Sequence, residues 1–266
     1  MQKYKVQTSK TFRQATKNLG NGFFRNILSR RMWGNPTSFP LLYRFDVTVE
    51  KKKYAGHKYL IITSKGEDLR PCIILFLPGT NGIICPTDYH YSLAVDLAYF
   101  TNCTLYFPCY DEVYDTDWVQ RFYHMIRRNN RGKSFFVVGD SAGANRAVNL
   151  CTRDIVEPQG LIICSPVFQK ETGESLFVEK DVWQGIEKIE EGNYEMFPDT
   201  MIVYGEKEAS AKDIMHLARK LDKAEVDVTV YSGKGHMHDW VLCRYFPEAK
   251  QMMINMVKFI IARYSL

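Results

Sequence analysis

A serine held between two glycines is the feature of this sequence with the clearest chemical use. Gly139-Asp140-Ser141-Ala142-Gly143 fits the pattern G-x-S-x-G, with the apolar run FFVV before it and a helical pattern from about Ala144 onward. In that setting the glycines permit a tight strand-to-helix turn, which lifts the serine hydroxyl out at the end of the strand. The amino end of the helix beneath it favours the negative charge that develops in acyl transfer. Ser141 is therefore the candidate nucleophile. The competing reading is a glycine-rich turn with a serine cap, and the flanking strand and helix weigh against it.

Near neutral pH a serine hydroxyl needs a base, and the base needs an acid to orient it. Two later stretches carry such groups. MIVY runs into Gly205-Glu206-Lys207-Glu208, and DVTVYSG runs into Gly235-His236-Met237-His238-Asp239-Trp240. Each follows a β-type run, so in a parallel sheet both loops open on the edge that carries Ser141. Taken singly, Glu208 reads equally well as a solvated loop charge, and one of the two histidines has some other role. The ordered set of serine, carboxylate and histidine is much harder to reach by chance.

The elements that must position these groups alternate along the chain. LYRFDVTVE and HKYLIITS, joined by the charged KKKYAG, read as a hairpin. PCIILFLPG and CTLYFPCY are continuous apolar runs of the kind found in strands covered on both faces. DYHYSLAVDLAYF and DTDWVQRFYHMIRRNN have helical spacing, with Asp115 or Asp117 placed to cap the second. Further on come the helix ANRAVNLCTRDI, the strand GLIICSPV, the helix KDIMHLARKLDKA and a closing amphipathic helix, PEAKQMMINMVKFIIARY. Strand and helix alternating from residue 72 onward predict an α/β fold, a mostly parallel sheet sandwiched by helices.

Composition sets the outer limits. The 266 residues are 45% hydrophobic and 24% charged, and no linker-like stretch divides them, so residues 1–266 read as one domain. The seven cysteines are scattered, with no CxxC pair and no Cys/His cluster, and read as reduced core residues of a cytoplasmic protein without bound metal. No run is long and apolar enough for a membrane span, and the opening residues lack a secretory signal pattern. The net charge of +5 is concentrated before Asp46, the first acidic residue. This basic segment, with Phe23, Phe24, Met32 and Trp33, reads as an amphipathic helix packed over the domain in preference to a membrane-surface anchor. The rest of the chain is slightly acidic and has no nucleic-acid-binding motif.

The chain resembles the hormone-sensitive-lipase-like branch of the α/β-hydrolases from about residue 72 to its C-terminus. Gly-Asp-Ser-Ala-Gly is that branch's usual elbow, and its order of serine, acid, histidine is the order found here. The family spacing of glycine, two residues and an acid matches Gly205 and Glu208, with Glu where Asp is commoner. Carried forward without a gap, the same spacing reaches His238 in preference to His236, with Trp240 as the aromatic that follows. The Pro-Glu-Ala that opens the family's last helix stands as Pro247-Glu248-Ala249. Where the family has His-Gly-Gly-Gly to bind the oxyanion, this chain has Leu77-Pro78-Gly79-Thr80-Asn81-Gly82. The D-Y-R-L-A-P-E signature is reduced to Phe107-Pro108-Cys109-Tyr110-Asp111-Glu112.

The resemblance implies an α/β-hydrolase fold and a carboxylic-ester hydrolase acting on small-molecule esters, short acyl or acetyl esters, through an acyl-enzyme. Ser141, His238 and Glu208 would form the triad, and Gly79, Thr80 and Ala142 the oxyanion hole, with no cofactor. It further implies that residues 1–45 form an N-terminal helical cap over the acyl site. Separately, PVFQKETGESLFVEKDVW has mixed polarity and no clean strand period, so residues 166–198 read as a second flap. The rival from another class is a small-molecule-binding protein that keeps the fold without turnover. The altered loop at Gly79 leaves that rival open, and Ser141 with His238 opposes it.

Overall fold

A computed structural model describes residues 1–11, 13, 46–79, 86–109, 116–153, 158–168 and 193–264. The strands in chain order are β1 (Gln2–Val6), β2 (Val47–Tyr54), β3 (His57–Ser64), β4 (Cys72–Leu77), β5 (Thr104–Pro108), β6 (Ser134–Asp140), β7 (Gly160–Cys164), β8 (Thr200–Gly205) and β9 (Val228–Gly233). The helices are α1 (Asp88–Thr101), α2 (Thr116–Asn129), α3 (Ser141–Arg153), α4 (Ala211–Lys223) and α5 (Pro247–Tyr264).

Among the described residues, all nine strands join one sheet in the order β1-β9-β8-β7-β6-β4-β5-β3-β2. Only β3 runs against its neighbours, pairing antiparallel with β2 and β5; every other adjacent pair is parallel. The expected hairpin is β2–β3. Its turn, Ala55-Gly56, has both residues at positive φ, the arrangement that matches the right-handed twist of the strands.

The apolar runs behave as a doubly covered sheet requires. Side chains alternate between faces along a strand, so Ile73, Leu75 and Leu77 of β4 enter one core while Cys72, Ile74 and Phe76 enter the other. The first core is closed by Trp118 and Phe122 of α2, Ala147 and Val148 of α3, and Leu217 and Leu221 of α4. The second is closed by Leu93 and Leu97 of α1 and by Met252, Met256 and Ile260 of α5. The six described cysteines are free thiols, and no described helix is long and apolar enough to cross a membrane.

The opening of the chain departs from expectation. Gln2–Val6, assigned from the sequence to a helical cap, is instead an edge strand parallel to β9, in register from Gln2↔Thr229 to Val6↔Gly233. Tyr4 stacks on Tyr231 at 5.0 Å, and the terminal ammonium sits 2.7 Å from Asp222. The alternation in QKYKV is easily taken for a basic run, because on an edge strand it leaves Lys3 and Lys5 exposed. Lysines there discourage further strand addition. Residues 14–45, with Phe23, Phe24, Met32 and Trp33, and residues 169–192 of the expected flap lie outside the described residues.

The sheet positions the site by the ends of its parallel strands. Register aligns Leu77 with Gly139, Asp140 with Cys164, and Gly205 with Gly233. The loops that follow β4, β6, β7, β8 and β9 therefore leave the sheet side by side. The tightest contact at this edge is between α3 and β4. A Cβ on Gly143 would run into the Leu77 carbonyl, and backbone cannot swing aside as a side chain can. Gly143→Ala should accordingly lower stability by at least about 3 kcal/mol in thermal or urea unfolding. Gly132→Ala, at φ +78 in open space, should cost only about 1–2 kcal/mol. Equal effects of the two would contradict the packing described.

Candidate active site

The β6–α3 turn places Ser141 between two glycines whose missing side chains let it close tightly. A Cβ on Gly139 would stand 2.6 Å from the Gly143 carbonyl and 2.8 Å from Ala144 N. Glycine at both positions lets strand and helix meet almost at once. Ser141 between them adopts φ +51, a left-handed conformation that a residue with a side chain seldom takes. Ser165 after β7 (φ +44) and Asp239 after β9 (φ +52) share that conformation. Strained backbone gathered in one place is a pointer to function.

A line of hydrogen bonds runs from Ser141. Its Oγ lies 2.9 Å from His238 Nε2, and His238 Nδ1 lies 2.8 Å from Glu208 Oε2. A carboxylate can only accept from Nδ1–H, so in the neutral ring Nε2 is left as the acceptor for the serine hydroxyl. The Glu208 carboxylate is itself held. Oε1 accepts from Gly205 N–H at 2.6 Å and from Ser165 O–H at 3.3 Å, and Oε2 from Ser210 O–H at 3.4 Å.

The acid and base loops are also joined backbone to backbone. Lys207 N–H donates to the His236 carbonyl at 3.0 Å, and Glu206 N–H to the Gly233 carbonyl at 3.0 Å. Gly205 makes this closure possible, because a Cβ there would lie 2.5 Å from the His236 carbonyl oxygen. Ser165, which the sequence reading passed over, ties the two loops together. Its Oγ accepts from Asp239 N–H at 3.0 Å while its proton goes to Glu208. Its position immediately after a buried strand, on the edge that carries Ser141, was the signal available for finding it.

The two histidines separate cleanly. His238 touches Ser141 and Glu208, whereas His236 is fully buried, stacked on Trp240 with ring centroids 4.4 Å apart, and 3.5 Å from Glu248. Burial pushes the His236 pKa down to about 4, against a smaller opposing pull from Glu248. For His238 burial acts downward too. There the Asp239 charge and contact, and then Glu208, carry the value well above the ordinary one.

Immediately after β4 the structure describes Pro78 and Gly79. Gly79 was a candidate oxyanion donor, but its N–H donates to Asp140 Oδ2 at 3.0 Å. What glycine provides here is space: a Cβ would lie 2.5 Å from Asp140 Oδ2 and 2.6 Å from Ser141 Cβ. His90 Nε2 stands 3.1 Å from the same Asp140 oxygen, and Thr87 N–H donates to His90 Nδ1 at 3.0 Å. Asp140 and His90 thus anchor Gly79, just beyond the end of β4. Ala142 follows Ser141 in the first turn of α3 and is buried. Thr80, Asn81 and Gly82 lie outside the described residues.

No family sequence model matches the chain, and no curated protein matches it in sequence. Solved structures do match. The HSL-homolog EstE7 from a metagenome library is 16% identical with a TM-score of 0.69, covering 96% of this chain and 97% of its own. EstE5, soaked with p-nitrophenyl butyrate, is 15% identical with a TM-score of 0.69, covering 91% and 92%. An esterase/lipase from an uncultured bacterium is 15% identical with a TM-score of 0.67, covering 88% and 94%. The likeness is one of fold and spans nearly the whole of each chain.

The His236 environment has a measurable consequence. The unfolded chain takes up this proton near the ordinary value of 6.5, whereas the folded protein does so only near 4. Stability from this group is therefore complete above pH 6.5 and is lost as pH falls toward about 4. The shift corresponds to about 3 kcal/mol. Urea unfolding at several pH values should show this loss in the wild-type protein. In His236→Phe, which keeps a ring against Trp240, it should shrink by most of that amount. Parallel pH curves for the two proteins would contradict the assignment.

Proposed function

The chain has the α/β-hydrolase fold, and we propose that it is a serine hydrolase that cleaves carboxylic esters through an acyl-enzyme. The observation that carries this reading is the unbroken line from Ser141 through His238 to Glu208, with contacts of 2.9 and 2.8 Å at the edge where the parallel strands end. The esterase identity of the fold's solved neighbours agrees with it, and the substrates we propose are short acyl or acetyl esters.

In this mechanism Ser141 Oγ bonds to the ester carbonyl carbon while its proton passes to His238 Nε2. Glu208 holds the ring by Nδ1–H and offsets the positive charge that forms. The carbonyl oxygen, now negative, is met by the N–H of Ala142 at the amino end of α3 and by that of Thr80, the donors the sequence assigns to this role. Gly79, its N–H given to Asp140, contributes space beside Asp140 and Ser141. Collapse of the tetrahedral species breaks the ester C–O bond, and Nε2–H protonates the departing alcohol. Water, activated by the same nitrogen, then releases the acid and restores Ser141. The serine proton leaves with the alcohol and water replaces it, so the cycle calls for no cofactor.

Turnover of p-nitrophenyl butyrate tests the reading. Ser141→Ala should fold normally and lose activity by ~10³-fold or more. His238→Ala should fall to a comparable level, while His236→Phe keeps an appreciable rate. A folded wild-type protein that binds such esters without hydrolysing them would instead support the binding-protein alternative.

A further inference from the structure

Asp239 stands next to the base in sequence and in space, and no ordinary structural role accounts for its carboxylate. The residue is 2% exposed. It holds the N-cap position of the short turn Trp240–Leu242, where Asp usually accepts from backbone N–H, yet its side chain makes no capping bond. Its Oδ1 has no hydrogen-bond partner among the described residues. Its Oδ2 lies 3.1 Å from His238 Nε2. Burying a half-satisfied carboxylate on left-handed backbone is costly twice over. Asn would suit the same backbone without the charge. What Asn lacks is a negative charge at the ring nitrogen that receives the Ser141 proton.

We propose that Asp239 is a positioning residue for the base. Its carboxylate at Nε2 stands opposite Glu208 at Nδ1, so the ring is gripped by one negative charge at each nitrogen, and Asp239 sets the pH at which His238 is free to accept a proton. The role in catalysis rests on the reading of His238 as general base.

The chemistry follows from where the proton sits. In the neutral ring the Nε2 lone pair faces both the serine hydroxyl and a carboxylate oxygen, which favours arrival of a proton. Once Ser141 has bonded to the carbonyl carbon, the new N–H lies between Oγ at 2.9 Å and Oδ2 at 3.1 Å. It then leaves for the alcohol oxygen. Asp239 gains no proton in the cycle and touches no substrate. Its charge helps the attack by stabilising the imidazolium, and for the same reason keeps the resting ring protonated to higher pH.

The neighbouring groups act in the same direction or on the edges of this pair. Glu208 after β8 adds negative charge that both Asp239 and His238 feel, and Asp140 at the end of β6 adds to that at Asp239, while His90 of α1 and the Cys164 thiol at the end of β7 feel Asp239 in turn. Burial first, with Asp140 and Glu208 adding to it against the pull of His238, lifts Asp239 itself to about 6. Below that value its hold on His238 weakens.

Two readouts on the full chain test the proposal. The His238 ring is titrated by ¹⁵N NMR, its signal identified by loss in His238→Ala, and the pH profile of kcat/KM is recorded with p-nitrophenyl butyrate. In Asp239→Asn the His238 pKa should fall by roughly one unit or more, and the acid limb of the profile should move down with it. Asp239→Gly, which tolerates left-handed backbone best, should give the same shift if the Asn variant folds poorly. A His238 titration unchanged in either folded variant overturns the proposal. A shifted titration in a protein that hydrolyses no ester upholds the Asp239 assignment and defeats the ester-hydrolase reading instead.

Discussion

The turn from β6 into α3 leaves no room for a Cβ at Gly139 or Gly143, and this steric limit governs where Ser141 can point. The helix is pressed so closely on the end of β4 that Gly143 abuts the Leu77 carbonyl. Ser141 is forced into left-handed backbone and the loop after β4 is drawn against Asp140. The strands on either side then supply the partners. Ser165, Glu208 and His238 each follow a strand that ends on the same edge, and β7, β8 and β9 are consecutive in the sheet. A sheet of mixed direction at this end would have sent these loops to opposite edges.

Around that turn the chain buries far more ionisable groups than a core usually tolerates. Asp140, Glu208, Asp239, His90 and His236 are all buried. Their arrangement divides them by use. His236 stacks on Trp240 and stays neutral, serving the core. His90 and Asp140 hold the start of the β4 loop. Glu208 and Asp239 meet the two nitrogens of His238. The cost of keeping carboxylates out of water is offset where each finds donors, and it is least offset at Asp239.

Much of this was legible in the sequence, for physical reasons that also mark where legibility ends. Continuous apolar runs identify strands covered on both faces, and β4 and β5 were read in that way. The elbow is legible because its glycines are demanded by local sterics, within five residues of chain. Glu208 and His238 were found by spacing from a resembled family. The edge strand β1 was missed because Lys3 and Lys5 carry a charge signal that hides a two-residue alternation. Ser165, Asp140 and His90 were missed because their work is done through contacts 43 and 50 residues away in the chain, which only the register of the sheet brings together. Asp239 was quoted with His238 but not given a role, since nothing local tells which way its carboxylate turns.

The central claim is that Ser141 is a nucleophile made reactive by His238 and Glu208. A fluorophosphonate probe tests this directly, because its phosphorus is attacked by an activated serine and by few other protein groups. Intact-mass and peptide analysis of the labelled chain should show one adduct, on the peptide that contains Ser141, absent in Ser141→Ala and strongly slowed in His238→Ala. A folded wild-type protein that takes up no label, or takes it up at another residue, would contradict the account.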